Sequence, residues 1–189
     1  MTATGATTSE LWPRWRVRLG YPVALVSYAL AQPTPRSIAW GAGIAALGLV
    51  IRAASAGTLR KGEGLTTAGP YAHTRNPLYL GSALLAAGFL VAGASWIVAA
   101  LVAAYFIVFY PAVMRREEQE LRRAHGVAFD DYTARVPRFW PRFTPVKPAS
   151  ATAAARFSWA LYRRNREYEA ALGYLAAIAL LWLRMYWRW

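Results

Sequence analysis

The sequence contains no cysteine and only two histidines, which excludes several kinds of chemistry at the outset. Without cysteine the chain has no disulfide and no thiol nucleophile. His73 and His125 stand far apart and do not provide the ligand spacing of a zinc site. A glycine-rich nucleotide fold is also excluded, because Gly62 and Gly64 lack the strand and helix that such a motif requires. We therefore expect no bound metal.

Charged residues are scarce as well, at 16% of the chain, against roughly a quarter in an ordinary soluble domain. The chain is instead 57% hydrophobic, with nine tryptophans and eleven tyrosines, which suits a small helical membrane protein with aromatic side chains at the headgroup level. The formal net charge is +13. Because the basic residues lie between apolar runs, we expect membrane lipids as partners and no nucleic acid.

The apolar runs predict an all-α, polytopic membrane protein with about five transmembrane helices plus interfacial helices. The five runs are 19–31, 38–51, 78–91, 96–113 and 170–187. We expect a single membrane domain over 1–189, with 1–10 disordered and 151–189 forming a basic amphipathic segment followed by the last span. The glycines of the second run, Gly41, Gly43 and Gly48, permit close helix packing, and an oligomer is possible. Arg52 is expected to end that run.

The basic residues predict the orientation of the chain in the membrane. With five spans and a cytoplasmic N-terminus, 19 of the 22 Lys and Arg residues fall on the cytoplasmic side. The first ten residues lack a signal-peptide pattern. We therefore expect an integral membrane protein of a bacterial inner membrane, with its N-terminus and its site cytoplasmic.

A concentration of polar side chains separates the second and third runs. It reads Gly69-Pro-Tyr-Ala-His-Thr-Arg-Asn-Pro-Leu-Tyr-Leu-Gly81. Within it, Asn76 is expected to cap the third helix and Pro77 to occupy its first position. Gly93-Ala-Ser95 predicts a minimal hairpin after the third run. That hairpin returns the chain to the same membrane face, so Arg75, Asn76 and Tyr79 should lie near the acidic residues that follow the fourth run.

Those acidic residues are Glu117 and Glu118, and simpler interpretations of them remain open. They could pair with Arg122 on a solvated helix face. His73 alone is more typical of a surface loop than of a base, and Tyr71 and Tyr79 alone would be aromatic residues of the membrane interface. Intramembrane or interfacial ionisable clusters nevertheless indicate function.

The combination of motifs resembles the integral-membrane methyltransferases of the isoprenylcysteine carboxyl methyltransferase and phospholipid N-methyltransferase superfamily. The resemblance runs from Gly69-Pro-Tyr71 and Arg75-Asn-Pro-Leu-Tyr79 to Glu117-Glu118-x-x-Leu121, and ends with Tyr132 and Val136-Pro-Arg-Phe139. It covers a methyltransferase-like core of about residues 57–143. The chain departs from the superfamily at Asn76, where histidine is usual, and asparagine cannot shuttle a proton.

The resemblance implies an S-adenosyl-L-methionine-dependent enzyme that methylates a lipid-like or small hydrophobic acceptor at the cytoplasmic membrane face, of the isoprenylcysteine carboxylate or phospholipid amine type. It implies catalytic roles for Arg75, Arg116 and Glu118. The implied cofactor-binding residues are Gly69, Pro70, Tyr71, Asn76, Pro77, Leu78, Tyr79, Glu117 and Glu118. Two other classes stay open: an NADPH-dependent membrane reductase of the steroid 5α-reductase type, and a non-catalytic membrane scaffold.

Overall fold

The computed structural model describes residues 8–147 and 156–187, with residues 8–17 described by their backbone alone. Within these ranges the chain is helical and contains no strand, which confirms the all-α fold class. The helices are α1 (Thr8–Leu30), α2 (Pro35–Thr58), α3 (Pro77–Gly93), α4 (Trp96–His125), α5 (Val127–Arg135), α6 (Trp159–Arg164) and α7 (Tyr168–Tyr186). A single 3₁₀ turn, Gly69–Ala72, precedes α3.

Three of the described helices are long and apolar enough to cross a membrane: α2, α4 and α7. The apolar helix α3 is shorter, with 17 residues, and α1 does not meet the same criterion. The polytopic helical architecture is thus confirmed, while length and composition support three spans and one shorter apolar helix in the described residues. Disorder is the wrong prediction for residues 8–10, which already belong to α1, and residues 1–7 lie outside the described ranges.

The predicted hairpin between the third and fourth runs is confirmed. Ala94 adopts a left-handed conformation with φ of 46°, and its N–H donates to the carbonyls of Leu90 and Val91. Ser95 then caps α4 by accepting a hydrogen bond from the backbone N–H of Val98. Two residues therefore reverse the chain, and α3 and α4 run antiparallel from a common end.

One predicted boundary is wrong. Arg52 does not end the second run, because α2 continues for six residues to Thr58. The polar residues after the fourth run continue α4 without a break to His125, and Gly126 at φ of 51° then separates α4 from α5. Of the predicted amphipathic segment, residues 151–155 lie outside the described ranges, and the remainder forms α6 and the start of α7.

Glycines bring the backbones of α2 and α3 into direct contact. A methyl group built on Gly88 of α3 would lie 2.5 Å from the backbone oxygen of Gly41 and 2.5 Å from the backbone nitrogen of Ala45. Gly48 of α2 and Gly81 of α3 approach each other in the same way further along the two helices. Small residues permit such close packing in lipid. Gly41 and Gly48 of the predicted glycine face are therefore buried within the chain, against α3, whereas Gly43 is exposed.

Replacing Gly88 by alanine should loosen this contact. The added methyl would overlap backbone atoms that cannot rotate away, so we expect destabilisation of about 1–3 kcal/mol, offset in part by the better helix propensity of alanine. The matched control is Gly43→Ala, because a methyl there meets nothing within 4 Å. Thermal unfolding in detergent should show a lower midpoint for the Gly88 variant alone. Equal midpoints for both variants would contradict the packing described.

Candidate functional site

Because α3 and α4 are antiparallel, the polar turn before α3 and the acidic residues Glu117 and Glu118 lie at the same height along the helix axes. With about 1.5 Å of rise per residue, the 17 residues of α3 span about 25 Å. Counting the same distance along α4 from Trp96 leads to about Val113, so Glu117 and Glu118 lie roughly one turn beyond the start of α3. The turn before α3 reaches this level as well. The topology thus places the polar turn and the acidic residues side by side.

Two side-chain contacts join them. The hydroxyl of Tyr79 donates to Oε1 of Glu117 at 2.7 Å. Nη1 of Arg75 lies 3.2 Å from Oε1 of Glu118, and both side chains are largely buried, at 14% and 11% exposure. The predicted proximity of Arg75 and Tyr79 to these glutamates is confirmed. The alternative in which Glu117 and Glu118 pair with Arg122 is wrong, because Arg122 pairs with Asp130 at 2.7 Å.

Glu118 has a second arginine partner, Arg138, which follows α5. Nη2 of Arg138 lies 2.7 Å from Oε2 of Glu118, and Nε donates to the same oxygen at 3.0 Å. One carboxylate is therefore shared by two guanidinium groups, and the cluster carries a net positive charge. Burial lowers the pKa of Arg75, Glu118 opposes that shift and Arg138 adds to it. Arginine nevertheless stays protonated at neutral pH.

The segment 136–147 is bound along the turn that precedes α3. The backbone N–H of Arg75 donates to the carbonyl of Pro137 at 2.9 Å. In the other direction, the backbone N–H of Arg142 donates to the carbonyl of His73 at 3.0 Å, and the backbone N–H of Val146 donates to the carbonyl of Ala72 at 3.1 Å. His73 adds its ring nitrogen Nδ1, which lies 2.8 Å from the carbonyl oxygen of Arg142. His73 is thus a loop residue held by backbone, in agreement with the simpler of its two interpretations.

Buried side chains of the turn complete this attachment. The hydroxyl of Thr74, 1% exposed, lies within hydrogen-bond distance of the carbonyls of Arg138 at 3.1 Å and Phe139 at 3.0 Å. Nδ2 of Asn76 donates to the carbonyl of Arg138 at 2.9 Å. Asn76 does precede Pro77 at the start of α3, but its side chain makes no capping hydrogen bond. The expected side-chain cap is wrong, and the amide instead holds the loop through its donor Nδ2.

Tyr71 is a core residue rather than an aromatic residue of the membrane interface. It is 8% exposed, and its carbonyl accepts a hydrogen bond of 2.7 Å from the hydroxyl of Tyr132 in α5. Burial raises the pKa of the Tyr71 hydroxyl, and Tyr132 and Glu117 add to the shift. Burial likewise raises the pKa of Tyr132. Both phenols therefore stay protonated at neutral pH, which keeps the Tyr132 donor in place.

The remaining predicted residues fall into three groups. Gly69 has φ of 60°, a conformation that favours glycine, and it begins the 3₁₀ turn with Pro70. Pro77 and Leu78 begin α3, Pro77 at its first position as predicted. Arg116 forms an i,i+4 pair with Glu120 at 2.9 Å on an exposed part of α4. The roles of these residues stay predictions.

The polar groups of this site suit a ligand that carries both charges and hydroxyl groups. Glu117 is exposed and offers carboxylate oxygens as acceptors. Nε of Arg75 is buried and has no hydrogen-bond partner among the described residues, and the cluster that contains it has an excess positive charge. An unpaired buried donor is costly, so it indicates a missing acceptor. Ribose hydroxyls and an ammonium group fit Glu117, and an anionic group fits Arg75.

Comparison with known families agrees with this arrangement. The family model described as phospholipid methyltransferase matches residues 37–128, from the start of α2 to the start of α5. Residues 37–128 are similar to this family, and they make up slightly less than half of the chain. This match confirms the predicted resemblance to the integral-membrane methyltransferase superfamily. The matched phospholipid methyltransferase segment contains Arg75, Tyr79, Glu117 and Glu118, but it ends before Tyr132 and Arg138.

Two curated relatives are similar to part of the chain. They are the nickel-cobalt-cadmium resistance protein NccN of Alcaligenes xylosoxydans xylosoxydans, 40% identical over 85 residues, and the cobalt-zinc-cadmium resistance protein CzcN of Cupriavidus metallidurans, 39% identical over 85 residues. Each match covers 45% of this chain and only 39% of the relative's length. No solved structure matches the chain. In residues 8–147 and 156–187, no group of three or more His, Cys, Asp or Glu side chains could hold a metal ion.

Sequence reasoning missed three side chains of this region: Thr74, Arg138 and Arg52. Arg138 belongs to the motif Val136-Pro-Arg-Phe139, but the sequence does not indicate that its partner is Glu118. Thr74 is a small polar residue in a polar turn and gave no indication of burial. Arg52 lies in an apolar helix, six residues before the end of that helix, and a charge at such a depth is itself an indication of a specific partner.

Replacing Thr74 by valine should detach the loop from the turn. The change leaves the carbonyls of Arg138 and Phe139 without this donor, and we expect a loss of stability of about 1–3 kcal/mol. Hydrogen exchange of residues 136–147, followed by mass spectrometry, should become faster. The matched control is Thr133→Val, whose hydroxyl bonds only an exposed carbonyl in α5 and should change stability by less than about 0.5 kcal/mol. Unchanged exchange in the Thr74 variant would show that the loop is held by other contacts.

Proposed function

We propose that this protein is an S-adenosyl-L-methionine-dependent membrane methyltransferase that acts on a lipid-like or small hydrophobic acceptor. One observation carries the proposal. The contacts of Tyr79 with Glu117 and of Arg75 with Glu118 join the two motifs of the phospholipid methyltransferase family into a single polar site next to apolar helices. The match to the family supports methyl transfer as the reaction class.

The side chains supply binding and alignment in this proposal. When bound, S-adenosylmethionine supplies a methyl group on a positively charged sulfur, and its transfer requires proximity and alignment more than acid–base help. Glu117 accepts hydrogen bonds from ribose hydroxyls or the ammonium group, and Tyr79 orients its carboxylate. The faces of Tyr79 and Tyr110, whose ring centroids lie 5.4 Å apart, favour a cation nearby. Arg75 holds an anionic group through its free Nε.

The same aromatic residues support an acceptor that enters from the bilayer. From Tyr79 a row of rings continues along α4, with Tyr110 edge-on to Tyr79 and stacked on Phe106 at 4.0 Å. Phe106 in turn contacts Tyr105. Such a row presents an apolar wall that leads from the polar site into the membrane-spanning part of α4. A prenyl or acyl chain lying along it would bring its polar end to Arg75 and Glu117.

The distribution of charge supports a cytoplasmic location for the proposed reaction. The loop 136–147 and the exposed end of α4 are rich in arginine, which is typical of the cytoplasmic side of a bacterial inner membrane. The cofactor would then arrive from the cytoplasm, and the acceptor laterally from the inner leaflet. This orientation is part of the proposal.

Binding of S-adenosylhomocysteine to the purified protein in detergent tests the site. Glu117→Gln should weaken binding about tenfold, because it removes a charged acceptor. The matched control is Glu120→Gln, which lies one turn further along α4 and pairs with Arg116. We expect this control to bind like the wild type in isothermal titration calorimetry. Equal affinities for both variants would remove Glu117 from the cofactor site.

The same titration separates the alternatives. Binding of NADPH without binding of S-adenosylhomocysteine would favour a reductase, and binding of neither would favour a scaffold. For the reaction itself, the protein is incubated with a lipid extract and S-adenosylmethionine that carries an isotopically labelled methyl group. Mass spectrometry should find the label in an acceptor with the wild type and much less with Arg75→Ala.

A further inference from the structure

A second buried ion pair lies outside the site described so far. Arg52 of α2 and Glu167, the residue before α7, form a two-pronged contact, with Nε to Oε1 at 2.6 Å and Nη2 to Oε2 at 2.9 Å. Glu167 is 5% exposed, and the side chain of Arg52 is 22% exposed. Two parallel hydrogen bonds of this kind fix the orientation of a guanidinium plane as well as its position.

The remaining nitrogen of Arg52 reaches the first turn of α3. Nη1 donates to Oγ of Ser82 at 2.5 Å and lies 3.4 Å from the carbonyl oxygen of Leu78. Ser82 itself donates to that carbonyl at 2.9 Å. Leu78 immediately precedes Tyr79, whose hydroxyl contacts Glu117. Arg52 therefore spans the distance between α7 and the turn that presents Tyr79.

Several contacts hold the segment before Glu167 against the end of α2. The N–H of Ser158 donates to the carbonyl of Gly57 at 2.8 Å, and the ring of Phe157 occupies the space that a side chain at position 57 would need. Nδ2 of Asn165 donates to the carbonyls of Ala56 at 2.8 Å and Leu59 at 3.0 Å. Residues 157–165 are thus docked on the end of α2, just before Glu167.

The attachment of residues 157–165 to the end of α2 does not by itself require a buried ion pair. Arg164 and Glu63 form an ion pair at 2.6 Å on the surface of the same contact, with both side chains at least 45% exposed. A buried pair adds little to stability over apolar packing, because removing two charges from water is costly. A buried pair placed in a membrane-spanning helix is therefore better explained by what it orients. The pair also acts on the site, since Glu167 contributes to the raised pKa of Tyr71 and Arg52 opposes it.

We propose that Arg52 and Glu167 are positioning residues, in which Glu167 holds the guanidinium group so that Arg52 sets the first turn of α3 and with it Tyr79 beside Glu117. The inference rests on the proposed function for its consequence in catalysis. It assigns a role to Glu167, which precedes α7 and lies outside the segment 37–128 that the family model matches.

The experiment compares Glu167→Gln with Glu169→Gln in the full-length protein in detergent. Glu169 lies two residues away, is 52% exposed and pairs with Arg166 on the surface, so its variant controls for loss of a carboxylate in the same segment. Hydrogen exchange of a peptide over 76–84 should be about tenfold faster in the Glu167 variant and unchanged in the control. Affinity for S-adenosylhomocysteine should fall about tenfold, as expected for a misplaced binding turn.

Two further variants distinguish positioning from docking. Ser82→Ala removes the shorter of the two contacts between Arg52 and α3 and leaves both charges paired, so exchange over 76–84 should rise while the thermal midpoint stays near that of the wild type. The exchanged pair Arg52→Glu with Glu167→Arg restores attraction between α2 and α7 but leaves position 52 without a donor for Oγ of Ser82 and for the carbonyl of Leu78. It should recover the thermal midpoint lost in Glu167→Gln, and exchange over 76–84 should remain fast.

Unchanged exchange over 76–84 in both Glu167→Gln and Ser82→Ala would overturn the inference, and so would slow exchange in the exchanged pair. These readouts do not depend on the reaction. If the wild type fails to bind S-adenosylhomocysteine while exchange responds as expected, the proposed function fails and the positioning role stands. If the wild type binds it and exchange does not respond, the positioning role fails alone.

Discussion

Glu118 holds together three parts of the chain that are distant in sequence. It belongs to α4, while its partners Arg75 and Arg138 belong to the turn before α3 and to the loop after α5. Removing one partner from a largely buried carboxylate is far more costly than any single surface pair is worth. The relative position of turn, helix and loop therefore depends on this carboxylate. The positive excess that remains is what makes the site suitable for an anionic group.

The rest of the structure brings the three parts within reach of Glu118. Glycine contacts set α3 directly against α2, the two-residue hairpin places α4 antiparallel to α3, and the backbone of 136–147 pairs with the turn that begins α3. None of these contacts requires a bound ligand. The protein thus brings Tyr79, Glu117 and Arg75 together without a ligand, as the proposed methyl transfer would require.

What could be predicted from the sequence was local or followed from topology. The hairpin at Gly93-Ala-Ser95 is encoded by adjacent residues, and it brings the turn before α3 and the acidic residues of α4 to the same end of the two helices. The predictions on Arg52 and Asn76 failed because the partners of these side chains are distant in the sequence. The place of Arg52 inside α2 could not be predicted, because its partner Glu167 is 115 residues away. The bond of Asn76 could not be predicted either, because its partner, the carbonyl of Arg138, lies in a loop that no periodic pattern reveals.

The central claim is that one ligand touches both motifs at once. A cryo-electron microscopy or crystal structure of the protein with S-adenosylhomocysteine tests it most directly. The account predicts the nucleoside or amino acid part of the ligand within hydrogen-bond distance of Glu117 and in contact with Tyr79, with Arg75 and Arg138 still joined by Glu118. A ligand bound elsewhere, or touching the turn before α3 but not the end of α4, would contradict it.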